Sequence, residues 1–153
     1  MSDAAPTDNA AKLAELHPAF RPLVVILLDE LRQLTWQPKI VYAYRSPQEQ
    51  MILFQSGRSR VKFSFHNAAY PDGRPAALAV DVIDRRYAWT GEPAPRFFEN
   101  LGTIARALGL VWGGDWHSFP DKAHVQFCAN EELYRVARGW LPPDQPPTVV
   151  VQP

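Results

Sequence analysis

No charge sign dominates this chain. Its 153 residues carry 16 Lys and Arg against 16 Asp and Glu, a formal net charge of zero. That balance leaves no basic footprint for a nucleic-acid backbone, and no nucleic-acid partner is expected. Cysteine is nearly missing. The one thiol, Cys128, cannot close an internal disulfide, so the fold does not depend on an oxidising compartment. Long apolar runs are missing as well. Leu23 to Leu28 is the longest and is far too short to cross a bilayer, so no transmembrane segment is expected. The opening MSDAAPTDNAAKLAEL lacks the basic and apolar regions of a secretion signal. The expectation is a chain made in the cytoplasm, which needs an outside agent to let it through a membrane. No internal repeat is visible.

The remaining composition is that of one globular domain with a real core. Residues 1–10 are small and polar and read as a flexible arm, 11–140 as the domain, and 141–153 as an extended Pro-rich tail. Apolar spacing predicts a helix from Pro22 to Leu34, followed by a strand KIVYAYRS. Ser46, Pro47 and Glu49 read as N-cap, first turn and capping-box partner of a second helix, which Gly57 stops. RVKFSFH reads as a short strand, NAAYPDGRPAA as a loop and LAVDVID as a buried strand. APRFFENLGTIARALG is a third helix ending near Gly109. LVWGGDW and AHVQF are strands, and a short helix follows at 131–138. This order predicts an α+β fold with a small, mostly antiparallel sheet.

Asp81 sits inside the apolar LAVDVID. Burying even a neutral polar group without a partner costs roughly 2–7 kcal/mol, so this carboxylate must be paired, hydrogen-bonded or bound to a metal. A structural carboxylate fed by backbone N–H groups or an arginine satisfies the same demand. His66 and His124 each stand at a predicted strand end, where a lone histidine is ordinarily structural or exposed. Taken together, two imidazoles and one carboxylate make a three-ligand zinc site with an open fourth position. Such a site keeps a net charge of about +1 and acidifies its water. Asp121 lies three residues before His124 and can serve as the proton carrier there, or merely form a turn after Pro120. Arg45 can grip a carboxylate or an oxyanion, or pair with Asp81, or lie at the surface. Cys128 is too far from His124 on an extended strand, about 13 Å, to share a metal with it, and reads as a buried thiol. His117 reads as an exposed loop residue and His17 as structural at a helix entry.

These residues resemble a family. YRSPQEQMILFQSGR, SFHN, ALAVDV and WGGDWHSFPDKAHVQF occur in the order found in zinc peptidases that cut peptidoglycan stem peptides. That family comprises the VanY-like D-alanyl-D-alanine carboxypeptidases and the phage-type L-alanyl-D-glutamate endopeptidases. The resemblance runs from about Leu13 to Phe127. It implies a hedgehog/DD-peptidase-like α+β domain with one zinc ion held by His66, Asp81 and His124. It also implies Asp121 and Arg45 as catalytic residues, with Arg45, Gln50 and Ser64 contacting substrate. Trp-Gly-Gly-Asp-Trp, with an aspartate at the catalytic position, is closer to the endopeptidase branch. The resemblance thus implies an endolysin-like monomer that meets the bacterial wall after release in phage or prophage lysis. The alternatives are a D-alanyl-D-alanine carboxypeptidase and an inactive zinc-containing binding domain. One departure stands out: fourteen residues separate His66 from Asp81, and Ala77 replaces a usual glycine. Residues 70–76 read as an insertion, which makes Asp72 a rival second ligand.

Overall fold

The computed structural model describes residues 7–145. Helix α1, Thr7–Leu13, occupies part of the stretch read as an arm; residues 1–6 and 146–153, the rest of that arm and most of the tail, lie outside the described residues. Helix α2, Arg21–Gln33, buries Val24, Leu27, Leu28 and Leu31, one stripe at helical spacing. Pro22 falls in its first turn, where a missing N–H breaks no bond. Strand β1 is Pro38–Tyr42 and helix α3 is Pro47–Gln55. The Ser46 hydroxyl caps α3 by accepting the Glu49 N–H at 3.1 Å, as the sequence predicts.

Strand β2 (Ala79–Asp84), helix α4 (Ala94–Ala107), strand β3 (Val111–Trp112), strand β4 (His124–Gln126) and helix α5 (Leu133–Ala137) complete the described elements. The four strands form one antiparallel sheet in the order β1-β2-β4-β3, so the expected α+β class holds. Side chains alternate across a strand, and this alternation divides the labour of the sheet. Ile40, Val80, Val82 and Val125 join Leu28, Phe97 and Leu101 of the helices in the main core. Ala79, Asp81, His124 and Gln126 take the opposite positions. Asp81 stands directly across from His124, and Ala79 across from Gln126. A bulge in β1 between Ile40 and Tyr42 brings Tyr42 opposite Asp81, next to the stretch that leads to Arg45.

One predicted strand is absent. RVKFSFH is irregular up to Ser64, and Phe65–Asn67 form a 3-10 turn. Local side chains out-compete the sheet here. The Ser64 hydroxyl accepts the His66 N–H at 3.2 Å, and Asn67 Oδ1 accepts the Ser64 N–H at 2.8 Å. His66 therefore leaves a capped turn rather than a strand end.

The fully buried carboxylate of β2 is Asp84, at 0% exposure. It accepts the Gln37 N–H and the Arg86 N–H, each at 2.8 Å, and two bonds from the Arg86 guanidinium at 3.0 and 3.1 Å. Burial alone would raise its pKa, but the bonds from Arg86 and Gln37 outweigh burial and lower it. Asp84→Ala should cost about 2–4 kcal/mol at neutral pH, because those donors lose their acceptor. The folded pKa lies below the ordinary 3.8, so the stabilisation is full above that value and is lost as pH falls through the folded pKa. Urea unfolding of both proteins, at neutral pH and in acid, should show the gap narrowing in acid.

Candidate metal centre and active-site cleft

His66, Asp81 and His124 converge although they arise from a 3-10 turn and two strands. Asp81 Oδ1 lies 3.4 Å from His66 Nε2 and 3.2 Å from His124 Nδ1. The two imidazole rings meet edge to face, 5.2 Å between centroids. A tetrahedral divalent ion with bonds of about 2.0–2.1 Å places neighbouring ligand atoms roughly 3.3 Å apart, so these two distances fit one.

The far nitrogen of each imidazole is already engaged, which settles the tautomers. His66 Nδ1 faces the Ala43 carbonyl at 2.8 Å; a carbonyl only accepts, so Nδ1 carries the proton and Nε2 keeps its lone pair. His124 Nε2 faces Gln126 Oε1 at 2.8 Å. The Gln126 amide nitrogen is committed to the Cys128 carbonyl and Asn130 Oδ1, both at 2.8 Å, so its oxygen must accept from His124. The lone pair at Nδ1 is thereby aimed at Asp81. Burial disfavours charge on Asp81, yet the two imidazoles outweigh it and hold its pKa below the carboxylate range. Burial likewise opposes a charged His124, but the Asp81 carboxylate pushes its pKa up. An arrangement that holds a proton between these groups has the charge complementarity to hold a divalent cation.

Asp121 reaches the cleft from the loop before β4. Its pKa is raised, first by burial and then by the Asp81 carboxylate. Its backbone is clamped: the Asp121 N–H donates to the Gly113 carbonyl at 3.0 Å, and the Trp112 indole N–H donates to the Lys122 carbonyl at 2.7 Å. This explains the Trp-Gly-Gly block. A Cβ on Gly113 would meet the Asp121 carbonyl oxygen at 2.4 Å, and one on Gly114 would strike the Trp112 ring.

Arg45, with Gln50 and Ser64, forms the other shoulder. Arg45 Nη1 donates to Gln50 Oε1 at 2.9 Å, and its Nη2 lies 3.9 Å from Asp81 Oδ2. Gln50 is itself tied to the Val61 carbonyl at 2.7 Å and the Ser59 hydroxyl at 2.8 Å. Ser64 Oγ lies 3.4 Å from Gln50 Oε1. The whole group lines one cleft of about 870 Å³, except Gln50, which stands behind Arg45.

The rival ligand does not reach the cluster. Asp72 is exposed in the turn at 71–73 and pairs with Arg74 at 2.8 Å. Cys128 is buried, its thiol pushed up to about 11 chiefly by burial. His17 is buried and its Nδ1 accepts the Ala19 N–H, a structural role; His117 is exposed at the cleft. Residue reasoning missed Gln126 as the partner of His124, although the two share a strand face two positions apart. It also missed Trp116, whose ring lies 5.1 Å from that of His124.

Gly113→Ala should lower stability by about 1–3 kcal/mol, since backbone rather than a flexible side chain must yield. Thermal unfolding measures this, and a variant as stable as the parent would disprove the clamp.

A family model described as D-alanyl-D-alanine carboxypeptidase matches residues 60–127, the span that holds His66, Asp81, Asp121 and His124. The peptidoglycan L-alanyl-D-glutamate endopeptidase CwlK of Bacillus subtilis (strain 168) is 25% identical over 127 residues, covering 76% of each chain. The crystal structure of the Serratia marcescens L-Ala D-Glu endopeptidase ChiX shares the fold, with a TM-score of 0.55 at 20% identity over 79% of this chain and 86% of that one. The chain is thus similar to peptidoglycan peptidases of two kinds, to a D-alanyl-D-alanine carboxypeptidase model over residues 60–127 and to an L-alanyl-D-glutamate endopeptidase over 76% of its length.

Proposed function

We propose that this peptidase is a zinc-dependent L-alanyl-D-glutamate endopeptidase, acting as a monomer on the stem peptides of bacterial peptidoglycan at the cell wall. Residues 11–140 carry the activity in this reading. The observation behind it is the convergence of His66, Asp81 and His124 donor atoms, all within 4.8 Å of one another, in a cleft shared with Asp121 and Arg45. Zinc held by those three residues would supply a Lewis acid and a water of lowered pKa. Asp121, with its raised pKa, takes a proton from the attacking water and returns it to the leaving amine. Arg45, braced by Gln50, steadies negative charge on the scissile carbonyl oxygen. Ser64 holds the His66 turn and presents its hydroxyl to the cleft. The likeness to CwlK and the aspartate at position 121 support the endopeptidase branch. The description of the matching family model supports the runner-up, a D-alanyl-D-alanine carboxypeptidase.

A digest of purified peptidoglycan, read by mass spectrometry, separates the two. Fragments with new N-terminal D-glutamate are expected, whereas free D-alanine would move the assignment to the carboxypeptidase branch. Asp121→Ala should lower kcat by about 10²–10⁴-fold while retaining one zinc per chain. Asp81→Ala should lose the metal and Asp72→Ala should keep it, both measured by metal content after dialysis. Loss of zinc from Asp72→Ala alone would reverse the ligand assignment.

A further inference from the structure

Phe119 has a φ of 58°, in the left-handed region, and it precedes a proline. That conformation costs a bulky residue on the order of 1–3 kcal/mol and persists only where its surroundings hold it. It leaves the ring 50% exposed in the wall of the cleft. The Arg60 guanidinium lies 4.2 Å from that ring's centroid. Arg60 comes from the segment between α3 and His66, and Phe119 from the loop between β3 and β4, so the pair bridges two loops that line one cleft.

Charge makes this pair informative. The chain is neutral overall, yet Arg58, Arg60 and Lys62 alternate in a stretch with no acidic residue from Ser56 to Pro71. Among the described residues none of the three forms an ion pair with a carboxylate. The acids of the cleft are otherwise engaged: Asp81 lies between the two imidazoles, and Asp115 takes two bonds from Arg106 at 2.9 and 3.1 Å. Asp121 belongs to the proton-transfer machinery proposed above. An arginine stacked on a ring is held by its face, which leaves the in-plane N–H fork to grip a carboxylate.

We propose that Arg60, braced by Phe119, is a substrate-positioning residue that binds a carboxylate of an acidic peptide. The enzyme then prefers a glutamyl substrate over its amidated counterpart. This rests on the peptidase reading above, and the two are separable by experiment. Binding of the peptides L-Ala-γ-D-Glu-L-Lys and its D-isoglutamine analogue is measured by calorimetry on zinc-loaded protein carrying Asp121→Ala, so that cleavage during the titration is small; cleavage by wild type is assayed in parallel. The acidic peptide should bind about tenfold tighter than the amide, as expected for one charge-assisted contact. Adding Arg60→Gln should abolish that ratio, Arg60→Lys should restore part of it, and Phe119→Leu should reduce it without removing the charge. Equal binding of the two peptides before Arg60 is changed, or a ratio that survives Arg60→Gln, overturns the proposal. Failure of wild type to cut either peptide, with the ratio and its loss intact, overturns the endopeptidase reading and leaves the anion site standing.

Discussion

The register of β2 against β4 is the constraint on which the rest of this protein depends. Asp81 meets His124 across that pair because Val80 and Val125 are buried against the helices on the other face. A slip of one residue would drive Asp81 into the core and turn Val80 and Val82 to the cleft. Hydrophobic burial, which carries no information about chemistry, thereby sets the position of two of the three candidate ligands. The third is delivered by the capped turn at Ser64–Asn67, which is tied to the segment after β1 through the bond from the Arg45 N–H to the His66 carbonyl at 2.9 Å.

Two aspartates on one strand show how environment divides roles. Asp84 has its demand met within the fold, by two backbone N–H groups and a guanidinium. Asp81 has partners of another kind: two imidazoles, and an arginine at 3.9 Å. The first arrangement stabilises a loop. The second gathers donors whose lone pairs converge and whose other nitrogens are already spent. Gln126 belongs to this logic, since its amide is oriented by Cys128 and Asn130 before it orients His124.

Much of this was legible beforehand. Pro22, Ser46, Gly57 and Gly109 mark helix ends because capping, missing donors and positive φ are local properties. Asp81 stood out because a carboxylate in an apolar strand needs a partner. The strand expected over RVKFSFH was wrong for an equally local reason. Its alternating pattern suits a sheet, but Ser64 and Asn67 offered the backbone closer bonds. Gln126 and Phe119 were not legible, since one reads as an ordinary strand residue and the other as an ordinary loop residue.

The sequence by itself determined the fold class, the ends of α2, α3 and α4, the family resemblance and the short set of residues able to bind a metal or move a proton. Those follow from spacing and side-chain chemistry, which are written along the chain. Tertiary structure alone decided between Asp81 and Asp72 as neighbour of the histidines, chose the lone pair each imidazole offers, and set Arg60 against Phe119. Each of those depends on distances between residues far apart in the chain. Such distances are fixed only when the core has packed and each buried polar group has found its partner.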